Sequence, residues 1–260
     1  NSVAYTMLRV QVNFIALSIL LLMTACTSNK QLPTAYYSVP VNKDAQAHAD
    51  TSSWWAYRYR VRWPESNDEP DFAVDLLLAH ALVRPVLLEF SEQIIWWRFH
   101  RRASKEAPGH QFSFLFYSGR GTAIEIIREL ESIPLLATLK DNGIVQKTLS
   151  SDTDKKAITA IEAYSDPSWS PVIQRTWPSY IMGVSAFWLA LIDELKTEQS
   201  NQGEDVIGVN AEVDMLLEEY RQVDDEIAVM WQQQGQHVLL HHMSALFGYK
   251  PMLLKKNVTY

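Results

Sequence analysis

Basic and imidazole side chains recur at two-residue spacing in two short stretches. Arg58, Arg60 and Arg62 alternate with Tyr57, Tyr59 and Val61, and Arg98 and His100 alternate with Trp97 and Phe99. Forked guanidinium N–H groups match the oxygens of carboxylates and phosphates, and an imidazole adds a donor that titrates near neutrality. The chemistry open to such a set is anion binding. The candidate residues are Arg58, Arg60, Arg98, His100, His110 and Arg120, the last lying in Ser118-Gly119-Arg120-Gly121-Thr122 just before a helix start. A binding module would use the cations alone. An enzyme acting on an anionic substrate would converge Arg98, His100 and His110 on it, with a histidine moving the proton. A competing expectation is internal neutralisation, because residues 204–226 carry nine acidic side chains against Arg221 alone.

Other chemistry is poorly served. Gly119 and Gly121 flank one residue without the further glycine or Lys-Ser/Thr of a nucleotide loop, and no Gly-x-Ser-x-Gly elbow occurs. His237 and His241 stand one helical turn apart, but the Glu of a zinc motif is missing, so a solvated helix face is expected. His80 reads as a hydrogen-bonded core residue. No metal or cofactor is expected. A net charge of −7 and a pI near 5.5 argue against nucleic acid as the general partner.

The elements that position these residues follow from periodicity. Trp54–Trp63 alternates aromatic and basic side chains, which is a strand. Phe72–Gln93 is rich in Leu and Ala and reads as a buried helix, kinked or divided at Pro85. Ile94–Arg102 and Gln111–Tyr117 are two more strands, joined through Pro108-Gly109. Thr122 and Glu125 form a capping box for a second helix, whose apolar stripe would be Ile124, Ile127 and Leu130. Asn142-Gly143 stops the helical stretch, and Ile144–Leu149 is the fourth strand.

The order β-α-β-β-α-β predicts an α+β ferredoxin-like domain over residues 54–150, followed by a helical C-terminal region over 151–260 packed on it. The first helix of that region starts near Ser170-Pro171. A later one, capped by Asn210, carries a stripe from Val213 through Leu216, Leu217, Tyr220, Val223 and Ile227 to Trp231. In the sheet, Trp55, Tyr57, Tyr59, Trp97, Phe99, Phe112, Phe114 and Phe116 would meet the helices. The other face would then collect the cations with Gln111 and Ser113.

Upstream, Met7-Leu8-Arg9 precedes a short apolar run, Val12–Met23, that ends in Leu22-Met23-Thr24-Ala25-Cys26. The run is shorter than the about 20 apolar residues a bilayer span needs, and small residues precede the chain's single Cys. This resembles a bacterial lipoprotein signal. The resemblance implies cleavage after residue 25, with residues 1–6 lying ahead of the start codon, and a lipid such as palmitate on Cys26. Thr27 and Ser28 stand where Asp would retain a lipoprotein at the inner membrane, so it further implies the periplasmic face of the outer membrane of a Gram-negative bacterium. Residues 26–53, polar and with little periodicity, would tether the lipid to the domain. The implied partners are the membrane, through Cys26, and an envelope protein or a small anionic ligand.

A second resemblance lies in Trp96-Trp97-Arg98-Phe99, a turn, and Gly109-His110-Gln111-Phe112-Ser113-Phe114. Together with the segment Arg175 to Leu195, they resemble the C-terminal elimination domain of lantibiotic dehydratases over Trp54–Leu195. Only Arg98 and His110 carry over. Gln111 and Ser113 stand where that family has Arg residues, so the resemblance implies a fold and not an activity.

Overall fold

The computed structural model describes residues 52–64, 69–103, 109–155, 157–202 and 211–250. All of them belong to one compact unit, Ala35–Tyr260; the other, Asn1–Thr34, lies outside the described residues, as do Cys26 and Asn210.

Four strands form one antiparallel sheet. β1 (Ser52–Val61), β2 (Trp96–Arg102), β3 (His110–Gly119) and β4 (Val145–Ser150) are ordered β2-β3-β1-β4, the ferredoxin-like arrangement with β1 and β3 central. Two crossovers produce it. The first, β1 to β2, is made by α1 (residues 73–89). The second, β3 to β4, is made by α2 (Arg120–Ser132) and α3 (Pro134–Asp141).

α1 runs through Pro85 by widening. Between the α-helical stretches Ala73–Leu77 and Arg84–Glu89 it makes a π-helical turn, Leu78–Val83, where the Arg84 N–H reaches back to the Ala79 carbonyl. A proline has no N–H for the carbonyl four residues earlier and its ring crowds that carbonyl, so the turn before it opens. α2 starts earlier than Thr122. Gly119 occupies its N-cap with no side-chain cap bond, and the buried stripe is Ala123, Ile126 and Leu130. Ile124, expected inside, is exposed and Ile127 is half-buried. The capping box is therefore not the cap, because β3 hands the chain to the helix without a loop. Gly143, at φ +65°, ends α3 as a left-handed residue should.

Alternation is kept along β1, β2 and β3, whereas a register shift in the β1–β4 pairing puts Val145 in the core and Lys147 opposite Arg60. Trp55, Tyr57, Tyr59, Trp97, Phe99, Phe112, Phe114 and Phe116 lie in one core with α1, α2 and α3. Ring pairs such as Phe99–Phe112 (5.3 Å) and Phe114–Phe116 (5.0 Å) tile it. The C-terminal helices α4 (Pro171–Gln202) and α5 (Ala211–Gly235) add Leu189, Ile192, Val213 and Val223 to this same core. α4 also covers the outer edge of β2, where the Phe99 N–H donates to Ser185 Oγ at 3.1 Å. α5 packs against the start of α1. Trp231, expected at the end of its stripe, is 61% exposed.

The second face of the sheet has its own small core. Trp54, Ala56, Leu115 and Tyr117 are buried beneath a 3₁₀ turn, Ile161–Tyr164. Trp54 Nε1–H donates to the Ile161 carbonyl (2.9 Å) and the Tyr117 hydroxyl to that of Thr159 (2.8 Å). This cover reaches only one end of the face.

Candidate anion-binding site

Beyond the turn, the second face is a lattice of polar side chains fixed by strand register. Across β2, β3 and β1, Arg98 stands opposite Leu115, which stands opposite Ala56. In the next row His100, Ser113 and Arg58 align, with Leu149 on β4; in the last, Arg102, Gln111 and Arg60 align, with Lys147. Rows follow each other at two residues, about 6.6–6.8 Å along the strands. Cations from β2 and β1 thus flank an uncharged central strand. Gln111 Nε2–H donates to Ser113 Oγ at 3.2 Å, so the floor is already partly ordered.

Among the described residues, no acidic side chain pairs with Arg58, Arg60, Arg98, His100 or Arg102. The buried Nε–H groups of Arg60 and Arg98 have no hydrogen-bond partner. An unmade bond of this kind costs roughly 1–3 kcal/mol, more where charge is involved. Burial lowers the pKa of Arg98, the nearby Tyr164 phenol partly opposing it. His100 is lowered by burial and then by Arg98, Arg102 and Arg58, which places four cationic groups in mutual range. Anions bound along the face would relieve these.

Among the described residues, no internal neutralisation occurs on this face. The acidic helix α5 sits on the opposite side of the sheet. There Arg221 pairs with Asp71 and Glu218, and Lys196 of α4 pairs with Glu219. Its apolar stripe fits α1, and that fit decides its place.

Two of the candidate residues lie elsewhere. His110 shares the parity of Phe112 and so points into the core, fully buried, where Nε2–H donates to Asp75 Oδ1 at 2.9 Å. Arg101, between His100 and Arg102 but on the core side, donates Nε–H to the other Asp75 oxygen at 2.8 Å. It also covers the Phe72 and Trp188 rings and lies 3.9 Å from Asp224. Asp75 thus clamps α1 to β2 and β3. Arg120 is exposed at the start of α2, where it binds the Thr153 carbonyl and Asp154. The expected convergence of Arg98, His100 and His110 is therefore not formed, because the sheet separates His110 from the other two. Arg102 and Lys147 complete the cationic face and were not expected. Arg102 was legible as one further step in the Arg98–His100 alternation, whereas Lys147 depends on β4 register.

His80 is, as expected, hydrogen-bonded. In the π-helical turn of α1 its Nδ1 lies 2.8 Å from the Tyr220 hydroxyl and its Nε2 3.2 Å from Asp193, which also pairs with Arg84. The rings of His237 and His241 stack at 5.0 Å, and His242 meets them edge-on at 5.5 and 5.3 Å. Among the described residues no group of three or more His, Cys, Asp or Glu side chains could hold a metal ion.

Burial lowers the pKa of both His80 and His100. The unfolded chain then binds more protons just below the ordinary histidine range near 6.5, so stability falls as pH drops from about 6.5 towards the folded values. Asp224 is raised, mainly by burial, and acts oppositely at lower pH. Urea unfolding at pH 7 and pH 5.5 should show lower stability at pH 5.5, and His100→Gln should flatten that slope. A slope unchanged in the variant would remove His100 from this explanation.

Compared with protein-family models, curated proteins and solved structures, the chain matches none of them.

Proposed function

We propose that this chain is a lipid-anchored envelope protein whose cationic sheet face binds an anionic ligand or an anionic patch on a protein partner. One observation carries the binding half: Arg58, Arg60, Arg98, His100 and Arg102 share a face on which no described acid meets them, with two buried Nε–H groups left unbonded. Burying charge without a partner is costly, so folding leaves the face poised for one. The face lies beyond the 3₁₀ cover and away from the helices, as a docking surface requires. The anchoring half is supported by the sequence pattern around Cys26. Among the described residues no helix is long and apolar enough to cross a membrane.

Two experiments test the halves separately. Cys26→Ser should move the protein from the membrane fraction to the soluble fraction and abolish fatty-acid labelling, because a bound lipid would supply the membrane affinity. Unchanged membrane retention would remove the anchor. For the face, phosphate should raise the parent's melting temperature by preferential binding to the folded state. Arg98→Ala should melt at or above the parent, since it relieves cation–cation repulsion, and should lose most of the phosphate response. A large destabilisation, together with no phosphate response in the parent, would leave Arg98 as structure only.

A further inference from the structure

We infer that the ligand of this face is a linear phosphate chain laid along β3, rather than one small anion. This rests on the anion-binding reading above and narrows its substrate class. Cations stand on both banks of the central strand in successive rows: Arg98; then His100 and Arg58; then Arg102, Arg60 and Lys147. Two row steps cover about 13 Å. A single small anion can satisfy one row and leaves the others repelling one another. An extended chain along β3 meets a cation from one bank or the other at every step.

The arrangement favours phosphate over carboxylate. Across Ser113 the Arg58 guanidinium stands opposite the His100 imidazole, and across Gln111 the Arg60 and Arg102 guanidinium groups stand opposite each other. A polyphosphate carries a charged group on every unit of its backbone and can lie close to the strand, whereas a polycarboxylate holds each charge at the end of a side chain whose ordering costs entropy. The uncharged floor also limits what else the chain can carry. Ser113 and Gln111 are the floor residues between the banks; Trp54 and Tyr117 are buried under the Ile161–Tyr164 turn, and the half-buried Trp96 and Tyr164 stand at the Arg98 end of the face. Among the described residues, the Ser113 and Gln111 rows offer bases no aromatic ring except the His100 imidazole, whereas single-strand binders supply a series of them. A chain of phosphates without bases fits this floor.

Calorimetric titration of the folded protein with orthophosphate, tripolyphosphate and long-chain linear polyphosphate tests the inference. Affinity should rise at least tenfold from orthophosphate to the long chain. The logarithmic salt dependence should steepen as further phosphates are engaged, each adding roughly 0.7–0.9 to the slope in nucleic-acid polyelectrolytes. Arg58→Ala and Arg102→Ala, one from each bank, should each weaken the long chain several-fold. Equal affinity per phosphate for all three probes would overturn the inference and leave the single-anion reading standing. Binding of poly-L-glutamate or oligodeoxythymidylate as tight as that of polyphosphate would also overturn it. No binding of any anion would overturn both.

Discussion

Asp75→Ala is expected to destabilise the fold by about 3–5 kcal/mol, the usual loss when one member of a buried ionic network is removed. Asp75 is fully buried, and both carboxylate oxygens are in use: one accepts from the fully buried His110, the other from Arg101. Truncation strands the His110 N–H in the core. It also leaves Arg101 with the Phe72 carbonyl at 3.2 Å and Asp224 at 3.9 Å, while its guanidinium stays fixed over Phe72 and Trp188. Asp75→Asn keeps the shape and one acceptor, so its cost should be smaller, roughly 1–3 kcal/mol. Equilibrium urea unfolding measures both. A loss below about 1 kcal/mol for Asp75→Ala would show that core packing alone holds α1 to the β2–β3 edge.

Trp54→Ala should cost a similar amount, about 3–5 kcal/mol, for a different reason. Trp54 is the centre of the second core. Its ring packs edge-on against Tyr117 (5.4 Å) and Tyr164 (5.8 Å), and its indole N–H holds the Ile161 carbonyl. Removing it opens a cavity and releases the turn that carries Tyr164. Since the Tyr164 phenol lies close enough to Arg98 to oppose the lowering of its pKa, the variant should also respond less to phosphate, even where it remains folded. Thermal unfolding with and without phosphate reads both effects. Loss of stability with a full phosphate response would separate the turn from the binding face.

Much of this molecule can be read from alternation. Strand positions, the division of aromatic from basic faces, and the ferredoxin-like order all follow from period-two patterns broken by turn residues. The cationic face was legible for the same reason, because Arg58, Arg60, Arg98 and His100 differ from the core only in parity. His110 was legible too, since it shares parity with Phe112. Its placement beside Arg98 failed because a His at a strand end looks solvent-facing until its partner is known, and Asp75 lies 35 residues away on a helix. The α2 stripe was read one residue late because an apparent capping box masked a direct strand-to-helix passage. The widened turn in α1 depends on how the helix absorbs Pro85, which composition does not reveal. The position of α5 was the largest error of charge-based reasoning. The nine acids of residues 204–226, seven of them in α5, suggested that it would seek the arginines, but its buried Val213, Leu217, Tyr220 and Val223 drew it to α1 on the opposite side. Apolar burial outweighs surface pairing of this kind, where exposed ion pairs give about 0–1 kcal/mol each.

The most direct test of anion binding at the sheet face is nuclear magnetic resonance of the arginine Nε–H groups during a phosphate titration. Arg60 and Arg98 have buried Nε–H groups without partners, whereas Arg101 already donates its own to Asp75. The Arg60 or the Arg98 resonance should move as phosphate is added, and the two should move and saturate together with long-chain polyphosphate, with Arg101 unmoved. Resonances of Arg60 and Arg98 that stay in place at saturating phosphate and at long-chain polyphosphate would contradict an anion site on this face.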